Sequence, residues 1–166
     1  MESQDVRVGG WRNALIGSFV GAYAIFDSLV LVAVIVVLVL RFDPLGVYLG
    51  SIAVITALNL ACCRWLDHHW DSWVAGGHAR RLEPRLAKLR ESSAMRRPVA
   101  WITGGSTALF ALAAAVINPV IVIGAGRMIG GQPIGDRRIG VASLSYAVVV
   151  SSLYLVVAIA VRQAIR

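Results

Sequence analysis

Long, uninterrupted apolar runs dominate the pattern of hydrophobic and polar positions along this chain. Four runs stand out, over residues 13–40, 45–63, 99–126 and 139–161. Each reaches roughly the 20 residues that a helix needs to cross a hydrocarbon core of about 30 Å. The strands of a membrane barrel alternate apolar and polar positions, so unbroken runs predict helices instead. The expected fold class is all-α, a polytopic membrane protein with four transmembrane helices.

Short polar connections between the runs predict that the four helices form two antiparallel hairpins. Arg41 to Pro44 makes the first turn, and a stretch from Gly126 to Arg138 makes the second. The two turns share a Pro-x-Gly element, which suggests a tandem duplication of one hairpin. The predicted regions are a cytoplasmic N-terminal tail (1–12), the first hairpin (13–63), a basic segment (64–98), the second hairpin (99–161) and a cytoplasmic C-terminus (162–166).

Composition supports lipid as the solvent and argues against a soluble domain. Hydrophobic residues make up 58% of the chain and charged residues only 15%, with a mean hydropathy of +0.73. The formal net charge of +7 would suit nucleic acid, but the basic residues stand beside apolar runs, where they set membrane topology and meet anionic lipids. We therefore expect no nucleic-acid partner. Cys62 and Cys63 are interpreted as small packing residues.

The distribution of basic residues predicts the orientation. With four spans, twelve of the 16 basic residues fall on one side of the membrane. Arg41, Arg127, Arg137 and Arg138 fall on the other side. Because basic residues favour the cytoplasm, this count predicts a bacterial-type plasma membrane protein with both termini inside. The three arginines near the second turn are an anomaly in this scheme.

The segment between the second and third runs changes character twice. Leu66, Trp70 and Trp73 share one face of a helix that continues from the second run, with Trp65 as a further interfacial anchor. The opposite, solvated face is expected to carry Asp67, His68, Asp71 and Ser72. After Gly76-Gly77, a basic amphipathic helix is predicted to bind anionic lipid or an acidic partner through Arg80, Arg81, Arg85, Lys88 and Arg90.

One carboxylate, Asp27, stands in the middle of the first apolar run. A charge there costs about 2.5–3.5 kcal/mol on insertion scales, so it should face protein or water. The functional interpretation is a proton or cation site on a polar path, and the structural alternative is a protonated acid bonded to Tyr23. The path would be lined by Tyr23, Asn59, Asn118, Ser151 and Tyr154. The alternative for these groups is interhelical adhesion.

Small residues at helical spacing predict close helix packing. Gly17 and Gly21 form one such pair, and Gly104 and Ala108 form another. Contact within the chain is favoured over a homodimer, although a homodimer is expected if the bundle conducts, because four helices leave little room for a pore.

Enzymatic chemistry and metal binding find little support. His68 and Asp71 are weak metal candidates one helical turn apart, without a zinc signature. Asp67, His68 and Asp71 are the only acid–base group near a membrane surface, and no Ser or Cys nucleophile is paired with them. We expect no metal, no cofactor and no catalysis. The leading hypothesis is a small transporter or channel subunit; the alternative is an accessory subunit of a larger membrane complex, or a protein that binds anionic lipid.

Overall fold

The structure is a computed structural model that describes residues 2–75, 88, 91, 92, 105–130 and 132–165. Within these ranges the side chains of residues 2–14, 25, 27–29, 32, 72–75, 129 and 130 are not described. The main helices are α1 (Glu2–Arg41), α2 (Pro44–Ala75), α3 (Thr107–Ile117), α4 (Pro119–Gly130) and α5 (Asp136–Ile165). No strand occurs in these ranges, which confirms the all-α prediction.

Two helices in the described ranges are long and apolar enough to cross a membrane. They are α2 over Pro44–Asp71 and α5 over Asp136–Ile165. α1 contains a shorter apolar stretch, Leu15–Ala24, within its 40 helical residues. The third predicted span is divided into α3 and α4, whose axes differ by 120°. The structure therefore shows two such helices and a bent pair in place of four straight ones.

The turn between α1 and α2 is as tight as the sequence predicts. The Phe42 N–H donates to the Leu38 carbonyl at 2.8 Å, closing the last turn of α1. Asp43 then caps α2, because its Oδ2 accepts from the Gly46 N–H at 2.8 Å. Pro44 takes the first helical position, where its missing N–H costs nothing. The chain reverses here, and α1 and α2 form the first antiparallel hairpin.

α2 and α5 lie antiparallel, as their contacts at both ends show. Tyr48 and Ser51, near the start of α2, contact Ser152 and Ser151 in the second half of α5. Arg64 lies more than three turns further along α2, and its Nε contacts the carboxylate of Asp136 in the first turn of α5. The two helices therefore share one long interface.

The break between α3 and α4 is set by Asn118 and Pro119. Asn118 has φ 99°, which the right-handed helix does not allow, and Pro119 has no N–H to continue the α3 hydrogen-bond ladder. Asn118 also caps α4, because its Oδ1 accepts from the Val120 N–H at 2.8 Å. The chain leaves α3 and starts α4 in a new direction within one residue.

The structure corrects the prediction of a second antiparallel hairpin. Arg138 Nη2, in the first turn of α5, donates to the Gly105 carbonyl just before α3 at 3.0 Å. Asn118, at the other end of α3, reaches the Tyr146 hydroxyl further along α5 at 3.5 Å. α3 therefore runs parallel to α5. α4 turns back toward the end of the bundle where α3 starts, and the third run is not one straight span antiparallel to the fourth.

Two clusters of buried apolar residues fill the bundle. The first cluster joins Val20 of α1 and Cys62 of α2 to α3, α4 and the start of α5, with Phe110 and Ile123 completely buried. The second cluster joins the later part of α1 to the start of α2 and the middle of α5. Its buried members are Ile35, Val39, Ile55, Tyr146, Ala147, Val150, Tyr154 and Ala158.

α2 continues beyond the apolar run without a break, as predicted. It extends through Trp65 and Trp70 to Ala75, and Trp70 is buried in the first cluster. Cys62 and Cys63 are free and buried, which confirms them as packing residues. The expected break at Gly76-Gly77 lies outside the described residues.

Candidate functional site

A layer of buried polar residues separates the two apolar clusters. Asn59 stands between Ile55 of the second cluster and Cys62 of the first, and its exposed fraction is 0%. Ser143 stands in the same way between Ala142 and Tyr146 on α5 and is also 0% exposed. The members of this middle layer are the buried Asn59, Asn118 and Ser143 and the half-buried Thr56, whose Oγ1 is buried.

Residues of the middle layer on α2 and α5 face each other. Ser143 lies beside Cys63. Asn59 is one helical turn before Cys63, and Thr56 is three residues before Asn59, so the three share a face of α2. The polar side chains of the layer therefore meet at the α2–α5 interface, where Asn59 and Ser143 are excluded from solvent.

Two oxygen atoms of the layer, Thr56 Oγ1 and Asn59 Oδ1, have no hydrogen-bond partner among the described residues. Ser143 Oγ is hydrogen-bonded to the Cys63 thiol, which is a weak partner. The amide nitrogens are already used, since Asn59 Nδ2 donates to the Ile55 carbonyl at 3.1 Å and Asn118 Nδ2 to the Tyr146 hydroxyl at 3.5 Å. A buried polar atom left without a partner costs about 1–3 kcal/mol. The layer thus keeps unused acceptor capacity in its interior.

A second polar contact between α2 and α5, which we call the hydroxyl end, is fully paired. Ser51 Oγ donates to the Tyr48 carbonyl at 2.8 Å and is hydrogen-bonded to Ser151 Oγ at 3.0 Å. The Tyr48 hydroxyl lies 3.1 Å from Ser152 Oγ. Ser152 also donates to the Val148 carbonyl at 2.7 Å. The bond to Ser51 matches the adhesive interpretation of Ser151.

A buried ion pair, the centre of what we call the charged end, fixes α4 against α2. Arg127 is 2% exposed, and its Nη2 donates to Asp71 Oδ2 at 2.8 Å. Its Nε lies 3.5 Å from Asp67 Oδ1, and Asp67 is 5% exposed. The Ile134 N–H donates to both oxygens of Asp67, at 3.2 and 3.3 Å. The pair therefore ties α2 to α4 and to the connection before α5.

The structure also corrects the predicted exposure of Asp67. It was expected on a solvated face with His68 and Asp71. His68 is exposed and the Asp71 side chain is 84% exposed, but Asp67 is buried under Arg127. The basic partner was not foreseen because Arg127 was assigned to the opposite side of the membrane.

An exposed ion pair, a hydrogen bond and a ring stack lie around the buried pair. Arg64 Nε and Asp136 Oδ1 are 3.0 Å apart, with side chains 48% and 62% exposed. Arg138 holds the Gly105 carbonyl at the start of α3. His69 stacks on Trp65 with ring centroids 5.3 Å apart. Four elements thus converge at the charged end.

The structure places the predicted path residues in different regions of the bundle. Asn59 and Asn118 lie in the middle layer, and Ser151 lies at the hydroxyl end. Tyr154 is buried in the second apolar cluster, and Tyr23 packs against the first. The bundle does not place them along one continuous line.

The side chain of Asp27 lies outside the description, but its position along α1 is described. α1 contributes Val20, Tyr23 and Ala24 to the first cluster, and Leu31 and Ile35 to the second. Position 27 therefore stands at the junction of the clusters, at the height of the middle layer.

The small-residue pairs do not pack within the described chain as expected. Gly21 is exposed, and a Cβ built there meets no atom within 4 Å. Ala108 is exposed as well, while Gly104 lies outside the described residues. Among the described residues Gly21 therefore has no close neighbour, while Gly17 is half-buried. Gly46 and Gly50 on α2 have open space of the same kind beside them, with only the Asp43 side chain 3.6 Å from Gly46.

The basic helix and the metal candidates are only partly covered by the structure. Arg80, Arg81, Arg85 and Arg90 lie outside the described residues, and Lys88 is exposed. No group of three His, Cys, Asp or Glu residues suited to a metal ion occurs in the part of the chain that is described.

Sequence reasoning missed two members of these sites. Arg127 is the only charged residue between Arg97 and Asp136, and that isolation within an apolar stretch was the available signal. Ser143 was not among the predicted path residues, because Ser and Thr in membrane helices often serve only in interhelical adhesion.

Comparison with known proteins adds no relative. Neither the family models nor the curated proteins nor the solved structures contain a match to this chain.

Proposed function

We propose that this chain is a small membrane transporter or channel subunit that moves an ion or small solute through the middle layer. The observation that carries the proposal is the helix break at Asn118 and Pro119, which is buried and where Asn118 reaches Tyr146 of the second apolar cluster. Lipid-exposed backbone at membrane depth must be helical, and an irregular backbone is tolerated where protein or a wet cavity surrounds it. Broken helices at mid-membrane height are a recurring design of transporter binding sites.

The proposed topology has three crossings and one re-entrant hairpin. α1, α2 and α5 cross the membrane, while α3 enters from the charged end and α4 returns to it after the 120° bend. The N-terminus then lies on the side of the charged end, and the C-terminus lies on the opposite side. This replaces the expectation of four crossings with both termini inside.

This topology also accounts for the arginines that were anomalous with four spans. Arg127, Arg137 and Arg138 now lie on the same side as Arg64. The segment between α2 and α3 starts and finishes at this end, so its basic residues belong to the same side in the proposal. In the described part of the chain, Arg41 and Arg162 remain on the other side. The charged end is therefore assigned to the cytoplasm of a bacterial-type plasma membrane.

The ion pair closes the cytoplasmic end of the proposed path. Arg127 of the re-entrant α4 is bound to Asp67 and Asp71 of α2, so access to the middle layer from this side requires α4 to move away from α2. A charge that stays buried after losing its partner is strongly unfavourable, so the closed arrangement is favoured as long as water does not reach Arg127.

The accessory role remains the second candidate, because two glycine faces are open. Gly21 on α1 and Gly46 with Gly50 on α2 leave space in which the backbone of another helix fits. A subunit of a larger membrane complex would use such faces. In that case the middle layer would be a structural feature and no flux would be found.

Flux into proteoliposomes tests the proposal, with candidate monovalent cations as the first solutes. Asp27→Asn should lower flux by about tenfold or more, which corresponds to a barrier higher by about 1.4 kcal/mol. Asp136→Asn makes the same chemical change at an exposed position and should leave flux unchanged. Absence of flux above protein-free liposomes, together with co-purification of a stable larger complex in mild detergent, would replace transport with the accessory role.

A further inference from the structure

We propose that the groove between α1 and α2 binds one phospholipid whose zwitterionic headgroup carries a primary ammonium, the phosphoethanolamine class. A cavity of about 600 Å³ lies between these two helices, next to the turn that joins them. Its volume is typical of ligand sites, which span about 300–1,000 Å³. Apolar side chains and a glycine form most of the wall: Leu31, Ile35, Leu38, Val47, Gly50 and Val54. The inference uses the proposed crossing of α1 beside α2 and goes beyond transport, because it does not depend on flux.

The length of the cavity matches one leaflet of a membrane. Its lining on α1 begins at Leu31 and extends to Phe42 and Asp43 at the turn. The helix rises about 15 Å from Leu31 to Arg41, which is half of a hydrocarbon core of about 30 Å. An acyl chain of this leaflet therefore fits along the cavity and leaves its headgroup at the turn.

Two glycines keep the groove open on the α2 side. Gly46 and Gly50 are one helical turn apart, and both line the cavity. A Cβ built at Gly50 meets no atom within 4 Å, and a Cβ at Gly46 meets only the Asp43 side chain, at 3.6 Å. Glycine within a helix is less stable than alanine, and no described helix approaches Gly50 closely enough to require it. The open space is thus available to a ligand.

The mouth of the cavity, and not its apolar wall, selects the lipid, because bulk lipid tails are as apolar as the wall. Asp43 is exposed and lines the cavity at the turn. Its Oδ2 accepts from the Gly46 N–H at 2.8 Å, and no described residue donates to its Oδ1. A primary ammonium offers three N–H donors and a positive charge to this carboxylate. Arg41 is exposed two residues earlier and supplies the positive charge that the phosphate of the same headgroup needs.

A helix of a second copy is the competing occupant, and two features disfavour it. A helix with its side chains is about 10 Å across, so 15 Å of helix fills roughly 1,200 Å³, twice the volume of the cavity. An unbranched acyl chain is much thinner and enters the groove. An apolar helix face would also cover the Asp43 carboxylate, and a charge covered without a partner is costly.

Photo-crosslinking of the purified full chain locates the lipid. The probe is phosphatidylethanolamine with a diazirine in its acyl chain, added to the protein in mild detergent, and the adducts are mapped by peptide mass analysis. Adducts should concentrate in residues 31–54. Unlabelled phosphatidylethanolamine should compete about tenfold better than chain-matched phosphatidylcholine or phosphatidylglycerol, as expected for one charge-assisted hydrogen bond.

Two variants separate the groove from the headgroup contact. Gly50→Leu extends a side chain into the groove from a position with open space, so labelling of residues 31–54 should fall by about fivefold or more through steric exclusion. Gly21→Leu makes the same change at an exposed glycine outside the cavity and should keep the labelling. Asp43→Asn keeps the helix cap, since asparagine caps as well as aspartate, but removes the charge. It should abolish the preference for phosphatidylethanolamine and leave the melting temperature in lipid-free detergent unchanged.

The opposite results are equally specific. Adducts spread evenly over the exposed helices, or equal competition by the three lipids, would reduce the bound molecule to ordinary boundary lipid and overturn the site. A dimer that Gly50→Leu dissociates, without adducts in residues 31–54 of the wild type, would assign the groove to a second copy and overturn the site as well. Neither result bears on flux through the middle layer, so the proposed function stands or fails by its own assay.

Discussion

The two ends of the α2–α5 interface are held by different interactions. At the charged end, Arg127 is buried against Asp67 and an outer pair joins Arg64 to Asp136. At the hydroxyl end, neutral groups of Tyr48, Ser51, Ser151 and Ser152 are paired with each other. A buried ion pair loses much when one partner is removed, whereas membrane hydroxyl contacts are individually weak. The comparison teaches that the charged end contributes more to holding the helices together than the hydroxyl end does.

Removal of the buried arginine should have the largest effect on this comparison. Arg127→Gln leaves Asp67 buried opposite a neutral side chain, so the free energy of unfolding should fall by about 3–5 kcal/mol. Reversible unfolding in mixed micelles measures the change. Arg137→Gln removes an exposed arginine at the same end and should alter stability by no more than about 0.5 kcal/mol. Equal losses in the two variants would show that the ion pair does not hold α4.

Substitution of Asn118 at the helix break between the two ends should have the second largest effect on stability. Asn118→Ala loses the cap on the Val120 N–H, worth about 1 kcal/mol, and places alanine at φ 99°, a strain of about 1–3 kcal/mol. Asn118→Gly loses the cap but accepts the positive φ. The alanine variant should therefore be the less stable of the two in the same unfolding assay. If the two variants are equally stable, the backbone at position 118 is not strained.

The hydroxyl end should show smaller losses. Ser51→Ala and Ser151→Ala should each cost about 0.6–1.7 kcal/mol, and a double-mutant cycle should show that the two losses are not additive. Flux should stay at the wild-type level, because these hydroxyls bind each other and not the solute. A loss of flux as large as that of Asp27→Asn would return Ser151 to the path.

The exposed ion pair of the charged end should show the smallest effect. Arg64→Gln should cost about 0–1 kcal/mol, because both side chains are open to solvent. About 1 M salt should remove the difference, since it screens exposed charges beyond about 3 Å. A salt-independent loss of several kcal/mol would mean that Arg64 belongs to the buried pair.

The parts of the site that are visible in the sequence depend on local chemistry. Asn59 and Asn118 stand out as amides among apolar neighbours, and Pro119 removes one hydrogen bond from the predicted third span. The direction of α4 after the break was not readable, because a proline removes a hydrogen bond without deciding how far the chain turns. The contact between Arg127 and Asp67 could not be predicted for the same reason, since the direction of α4 decides on which side of the membrane Arg127 lies.

The sequence by itself determined the all-α class, the tight turn at Asp43 and Pro44, and the presence of polar groups within apolar helices. These features follow from hydropathy and from backbone rules that act over a few residues. Only the tertiary structure decided that α3 runs parallel to α5, that Asp67 is buried by Arg127, and that Ser151 is paired with Ser51. Such pairings depend on contacts between residues far apart in the chain, which no local pattern records.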